Sequence, residues 1–166
     1  MGKKIYLASP LGFSGECSGY RNRLVETLRR LDFEVHDPWD NGRTHEFDEK
    51  LAETGMIGDH DERCTAYLEI AKEMGRENES AIRESDMLVA VLDGMEPDSG
   101  TVAELGFAAG LGKKCHGIRA DARSAGDFPG VPINLQVLRF IERGGGKLFR
   151  ALQELEDFFR TGAGDA

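Results

Sequence analysis

The chain has 166 residues, 40% of them hydrophobic and 31% charged, with a net charge of −9. That length suits one domain with a sizeable core, and the composition fits a soluble globular protein. The acidic balance argues against a phosphate-backbone partner or an anionic membrane surface, because both call for a basic footprint. No apolar run approaches the roughly 20 residues of a membrane span, so neither nucleic acid nor membrane is expected as a partner.

At the N-terminus, Lys4–Ala8 is a short β-rich run closed by Ser9-Pro10. It resembles a signal peptide only superficially and reads better as a first strand. Tyr6 stands where a myristoylation signal needs Ser or Thr, so Met1-Gly2 is discounted as one. Gly12, Gly15 and Gly19 mark a flexible loop with Phe13 and Tyr20 as its aromatic members. Leu24, Leu28 and Leu31, with Val25, predict a helix from about Tyr20 to Leu31. Phe33–His36 reads as a second strand, ended by Asp37-Pro38-Trp39-Asp40.

Residues 40–62 are polar, rich in Gly and acids, and weakly periodic. They read either as an excursion over the active site, a lid, or as a mobile loop. A helix follows from about Asp61 to Glu84, with Gly75 placed to bend or split it. The apolar run Met87–Leu92 predicts a buried strand, and a helix is expected from about Thr101 to Leu111. A strand near Cys115–Ile118, a Gly- and Pro-containing loop over 119–132, and a short helical turn plus the last strand within Asn134–Ile141 come next. A final helix is expected to carry Leu148, Leu152, Leu155 and Phe159 on one face, before a frayed tail at 161–166. Strands alternating with helices imply a mainly parallel sheet covered on both faces.

The stretch after Met87–Leu92 carries the chemistry. Asp93, Glu96, Asp98, Ser99 and Gly100 crowd one loop, and Glu104 follows in the helix. In open α/β sheets ligands bind beyond the carboxyl ends of strands. Two readings of Glu104 stand side by side. Thr101-Val102-Ala103-Glu104 fits a capping box, in which Glu104 reaches back to the backbone. Alternatively, a carboxylate kept ionised by the positive end of the helix dipole attacks an anomeric carbon and forms a covalent glycosyl intermediate. Asp98 or Ser99 could simply cap the helix, and Asp93-Gly94 could simply turn the chain. Together, acids so close invite donors such as sugar hydroxyls. The Ala8-Ser9-Pro10-Leu11 loop should open at the same sheet edge, where its glycines would let backbone approach a ligand. It matches neither G-x-G-x-x-G nor a P-loop.

The other polar residues are weaker signals. Cys17, Cys64 and Cys115 are odd in number and match no metal pattern, which suggests reduced thiols in a cytoplasmic protein. His36, His45, His60 and His116 share no metal-ligand spacing. Trp39 and Phe13 could stack on a base or simply pack.

The pattern Asn78…Ser85-Asp86…Val89-Ala90-Val91-Leu92-Asp93-Gly94…Pro97-Asp98-Ser99-Gly100-Thr101…Glu104-Leu105-Gly106, with Ile5–Pro10 before it and Pro132-Ile133-Asn134-Leu135 after it, resembles the nucleoside 2-deoxyribosyltransferases. The resemblance implies an α/β, flavodoxin-like (Rossmann-like) fold: a five-stranded parallel sheet with helices on both faces, as one domain over 1–160 with 40–62 as an insertion. It implies a ping-pong exchange in cytoplasmic nucleoside salvage, with nucleosides and nucleobases as partners and no metal or organic cofactor. On that resemblance Glu104 is the nucleophile and Asp98 holds a sugar hydroxyl. Asn134 reaches the sugar 5′ end from a neighbouring subunit of a homodimer or larger oligomer. Ser9, Pro10, Leu11, Gly94, Ser99 and Gly100 line the substrate site. Asn78 falls where some members carry Asp, which leaves the base-protonating acid to Asp93 or to a residue of 40–62. Two alternatives remain: a related N-hydrolase acting on 2′-deoxynucleoside 5′-monophosphates, and a non-catalytic nucleotide-binding module.

Overall fold

The computed structural model describes residues 2–162. Of the expected frayed tail, 161–162 form a turn, and 163–166 lie outside the described residues, as does Met1. Five strands form one parallel sheet in the order β2-β1-β3-β4-β5. They are β1 (Lys4–Ala8), β2 (Glu34–His36), β3 (Met87–Val91), β4 (Lys114–Ile118) and β5 (Leu148–Phe149). This is the flavodoxin-like order. The chain leaves β1 toward β2 on one side and returns through β3 on the other, so the ends of β1 and β3 flank the topological switch point.

Strand periodicity sorts the core into two faces. Tyr6 and Ala8 of β1, with Leu88, Ala90 and Leu92, pack beneath α3 (His60–Glu84), α4 (Ser99–Gly110) and α5 (Leu135–Arg143). Ile5 and Leu7, with Met87, Val89 and Val91, pack beneath α1 (Ser18–Arg30) and α6 (Leu152–Arg160). The registers Tyr6↔Leu88 and Ala8↔Ala90 keep each face continuous. β3 is buried at every residue, as a central parallel strand must be.

Three expectations are corrected. Residues 40–62 are not a structureless loop: α2 (Thr44–Gly55) forms there and packs on α3. α2 buries Phe47 and Thr54, and ion pairs link it to α3. Arg43 meets Glu73 at 3.6 Å and also pairs with Glu77, while Lys50 meets Glu73 at 2.9 Å. Phe47 and Leu51, four residues apart, supply a short apolar face, and the ion pairs add to it. α3 runs through Gly75 as one helix. Finally, Asn134–Ile141 holds α5 rather than the last strand, and Leu148 belongs to β5 instead of the final helix.

Candidate active site

Glu104 is decided by where α4 begins. The helix starts at Ser99, and its cap is Asp98, whose Oδ2 accepts from Thr101 N at 2.8 Å and from Thr101 Oγ1 at 3.0 Å. Thr101 is therefore inside the first turn, and the capping-box reading of Thr101 and Glu104 fails. Glu104 lies in the second turn, beyond the strongest reach of the helix dipole. Its Oε1 instead accepts from Tyr6 Oη at 2.7 Å and from Asn78 Nδ2 at 3.1 Å. Burial pushes the Glu104 carboxyl above its usual range, the Tyr6 and Asn78 hydrogen bonds pull it back, and Asp98 adds to the rise. The two donors hold the carboxylate in one orientation as acceptor. Tyr6 stays protonated, because burial and the neighbouring Glu104 both raise its phenol.

A cavity of about 370 Å³ opens over Glu104. Its lining includes the polar residues Ser9, Asn41, Glu77, Asn78, Asp98, Thr101 and Glu104, with Gly100 among them. The same lining includes the apolar residues Phe13, Pro38, Trp39, Phe47, Leu51 and Met74. The first three come from the loops after β1 and β2, and Phe47 and Leu51 come from α2. Thus residues 40–62 contribute a wall to the cavity. Trp39 is fixed twice: Nε1 donates to Ser9 O at 2.7 Å, and its ring meets Phe13 edge-on at 4.6 Å. A Cβ at Gly12 would lie 1.9 Å from the indole. The close approach that Gly12 permits is therefore to Trp39 rather than to a ligand.

The remaining expected residues sit elsewhere. Asp93 is absent from the cavity lining, and its Oδ1 accepts from Asp121 N at 2.7 Å. Gly94 turns at φ +112, and its carbonyl accepts from Arg119 Nη1 at 2.9 Å. Pro10 and Leu11 follow Ser9 without lining the cavity, and Ser99 is the exposed first residue of α4. Asn134 caps α5 by accepting from Gln136 N at 3.0 Å, and its Nδ2 donates to Asp127 Oδ1 at 3.3 Å. It is not in the lining of this chain's own cavity.

Two residues escaped the sequence reading. Tyr6 is fully buried in β1, and its only signal was a phenol in an apolar strand, where an O–H needs a partner. Arg119 is also fully buried. Its Nη1 donates to Leu92 O at 2.6 Å and its Nη2 to Arg123 O at 3.0 Å. It thereby braces the loop that leads from β3 to Asp98. Among the described residues no group of three His, Cys, Asp or Glu side chains is placed to hold a metal ion. No helix there is long and apolar enough to cross a membrane.

Comparison with known proteins follows the same lines. A family model for nucleoside 2-deoxyribosyltransferase matches residues 5–136. No curated protein matches the sequence. A 2-desoxiribosyltransferase from Leishmania mexicana superposes with a TM-score of 0.63, at 23% identity over 95% of this chain and 97% of that one. A 2-deoxyribosyltransferase from Bacillus psychrosaccharolyticus gives 0.56 and 23%, over 93% and 90%. A CMP N-glycosidase from Clostridium botulinum gives 0.51 and 17%, over 95% and 99%. At these identities the structural matches establish the shared fold.

Proposed function

Because this chain belongs to the nucleoside 2-deoxyribosyltransferase family, we propose that its cavity exchanges the nucleobase of 2′-deoxyribonucleosides through a glycosyl intermediate on Glu104. The observation that carries this reading is the Glu104 carboxylate, held by Tyr6 and Asn78 in the lining of a cavity that aromatic side chains also line. The sugar lies against the polar lining with Asp98 accepting from a hydroxyl, and the base lies against Phe13 and Trp39. Glu104 attacks C1′. The C1′–O bond forms as the N-glycosidic bond breaks, and the bonding pair leaves with the base, which departs more readily once its nitrogen is protonated. A second base then attacks C1′ and frees the carboxylate. The oxocarbenium-like character of the transition state favours a sugar lacking the 2′-hydroxyl, whose inductive pull would destabilise the cation.

The runner-up is hydrolysis of 2′-deoxynucleoside 5′-monophosphates. A phosphate calls for cationic partners, whereas the charged lining residues are Glu77, Asp98 and Glu104. This favours nucleosides. The family's oligomers suggest that a second copy would supply Asn134 to complete the sugar end, making a homodimer or larger assembly part of the proposal.

The test is a chromatographic assay of thymidine with free adenine, beside thymidine alone. Deoxyadenosine formed only when adenine is present supports exchange. Thymine released equally in both, without deoxyadenosine, overturns it in favour of hydrolysis. No reaction in either, with turnover of deoxynucleoside 5′-monophosphates, also overturns it.

A further inference from the structure

One charged side chain lining the cavity has no part in the transfer just described. Glu77 lies one residue before Asn78 on α3 and lines the same cavity. Met74, Glu77 and Asn78 share one face of that helix, because residues three and four apart are neighbours. Asn78 faces Glu104, whereas Glu77 is engaged by Arg43 at the start of α2. The Arg43 guanidinium in turn lies 5.5 Å from the Phe47 ring, part of the apolar wall. Glu77 thus lines the same cavity as Glu104 and the aromatic residues against which a base would stack, and is linked through Arg43 to one of them, Phe47.

Resting on the deoxyribosyl-transfer reading, we infer that Glu77 is a specificity residue that reads the base edge by accepting a hydrogen bond from an exocyclic amine. An ionised carboxylate is acceptor-only, so it pairs with an amino group and repels a carbonyl at the same position. Arg43 supports this role by pairing with Glu77, which restricts the rotamers the carboxylate can adopt. Phe13, Trp39 and Phe47 supply stacking and packing surface that every base can use, so they add affinity with little discrimination. A carboxylate beside them supplies the directional contact that the aromatic walls lack. The inserted helix α2 would then contribute to base choice in two ways, by its wall and by the arginine that orients Glu77.

The experiment compares matched substrates that differ at that position, deoxycytidine against deoxyuridine and deoxyadenosine against deoxyinosine, in the wild type and in Glu77→Gln. The wild type is expected to favour the amino member of at least one pair by roughly 10-fold or more in kcat/KM, the range of a hydrogen bond to a charged group. Glu77→Gln should bring that ratio toward one or invert it, because the amide can rotate to donate to a carbonyl. An unchanged ratio in the variant overturns the inference. So does an equal loss on all four substrates, which would mean that Glu77 only tethers α2 to α3. If none of the four is turned over, the transfer reading fails separately, and calorimetric titration of the same nucleosides decides about Glu77. Amine-selective binding lost in Glu77→Gln would support the inference, and equal affinities or no binding would overturn it.

Discussion

The phenol of Tyr6 donates to the carboxylate of Glu104 across 2.7 Å, joining the first strand of the sheet to the second turn of α4. This contact opposes the effect of burial on Glu104. Tyr6→Phe removes a donor without changing the shape of the core. The Glu104 pKa should then rise further, and the acid limb of the pH–rate profile should move to higher pH. A fall in kcat of roughly 10-fold is expected from losing one hydrogen bond to a charged group. A pH–rate profile of both proteins checks this.

Glu104→Gln should reduce base exchange by about 10³-fold or more, the scale of losing a nucleophile. It should also stabilise the fold at neutral pH. The folded protein binds the Glu104 proton more tightly than the unfolded chain, so stability falls as pH rises from the ordinary glutamate value of 4.5 through the raised one. The neutral amide avoids that loss. Thermal melts at pH 7 should show a higher Tm for the variant, with the difference shrinking in acid.

Asp98 combines a helix cap with a place in the cavity lining, and two substitutions separate these roles. Asp98→Asn keeps a good cap but weakens the acceptor offered to a sugar hydroxyl. Activity should fall while the melting temperature barely moves. Asp98→Ala should lose activity and about 1 kcal/mol of stability as well. Chemical denaturation beside initial-rate assays reads both.

Arg119→Met keeps bulk in the core but leaves the carbonyls of Leu92, Gly94 and Arg123 without their guanidinium donor. A cost of about 2–4 kcal/mol is expected, since the buried Leu92 carbonyl is stranded together with two partly buried ones. Urea unfolding midpoints should fall accordingly, with the slope unchanged.

His116 gives the fold an acid limit. It is fully buried among Phe149, Phe158 and Phe159, and burial lowers its pKa from 6.5 to about 4. The unfolded chain therefore binds the proton first as pH falls. Stability should be intact above about 6.5 and drain away down to about 4, by roughly 3 kcal/mol in total. His116→Phe should flatten this part of the stability-versus-pH curve measured by urea denaturation.

Much of the framework was legible along the chain because it depends on neighbours in sequence. The apolar run at Met87–Leu92 announced a buried parallel strand, and α/β alternation announced the layered sheet. The crowded acids after that strand pointed to the sheet edge where Asp98 and Glu104 now share a cavity. Local pattern also set limits. Thr101 and Glu104 have capping-box spacing, but Asp98 starts the helix first, and only the observed helix start separates the two.

The rest was decided by contacts between distant segments. Asp93 and Asp98 look alike in sequence, yet one carboxylate ties down the Asp121 backbone and the other lines the cavity. The helix at Thr44–Gly55 has only a short apolar face at Phe47 and Leu51, and its ion pairs to α3 join segments distant in sequence. Tyr6 and Glu104 stand 98 residues apart, too far for local propensity to foretell their meeting. The sequence by itself determined which residues prefer strand, helix and turn, because those preferences act over a few neighbours. The tertiary structure alone decided which carboxylate is buried, held by donors and open to a ligand, because burial and hydrogen bonding depend on what the folded sheet brings beside each group.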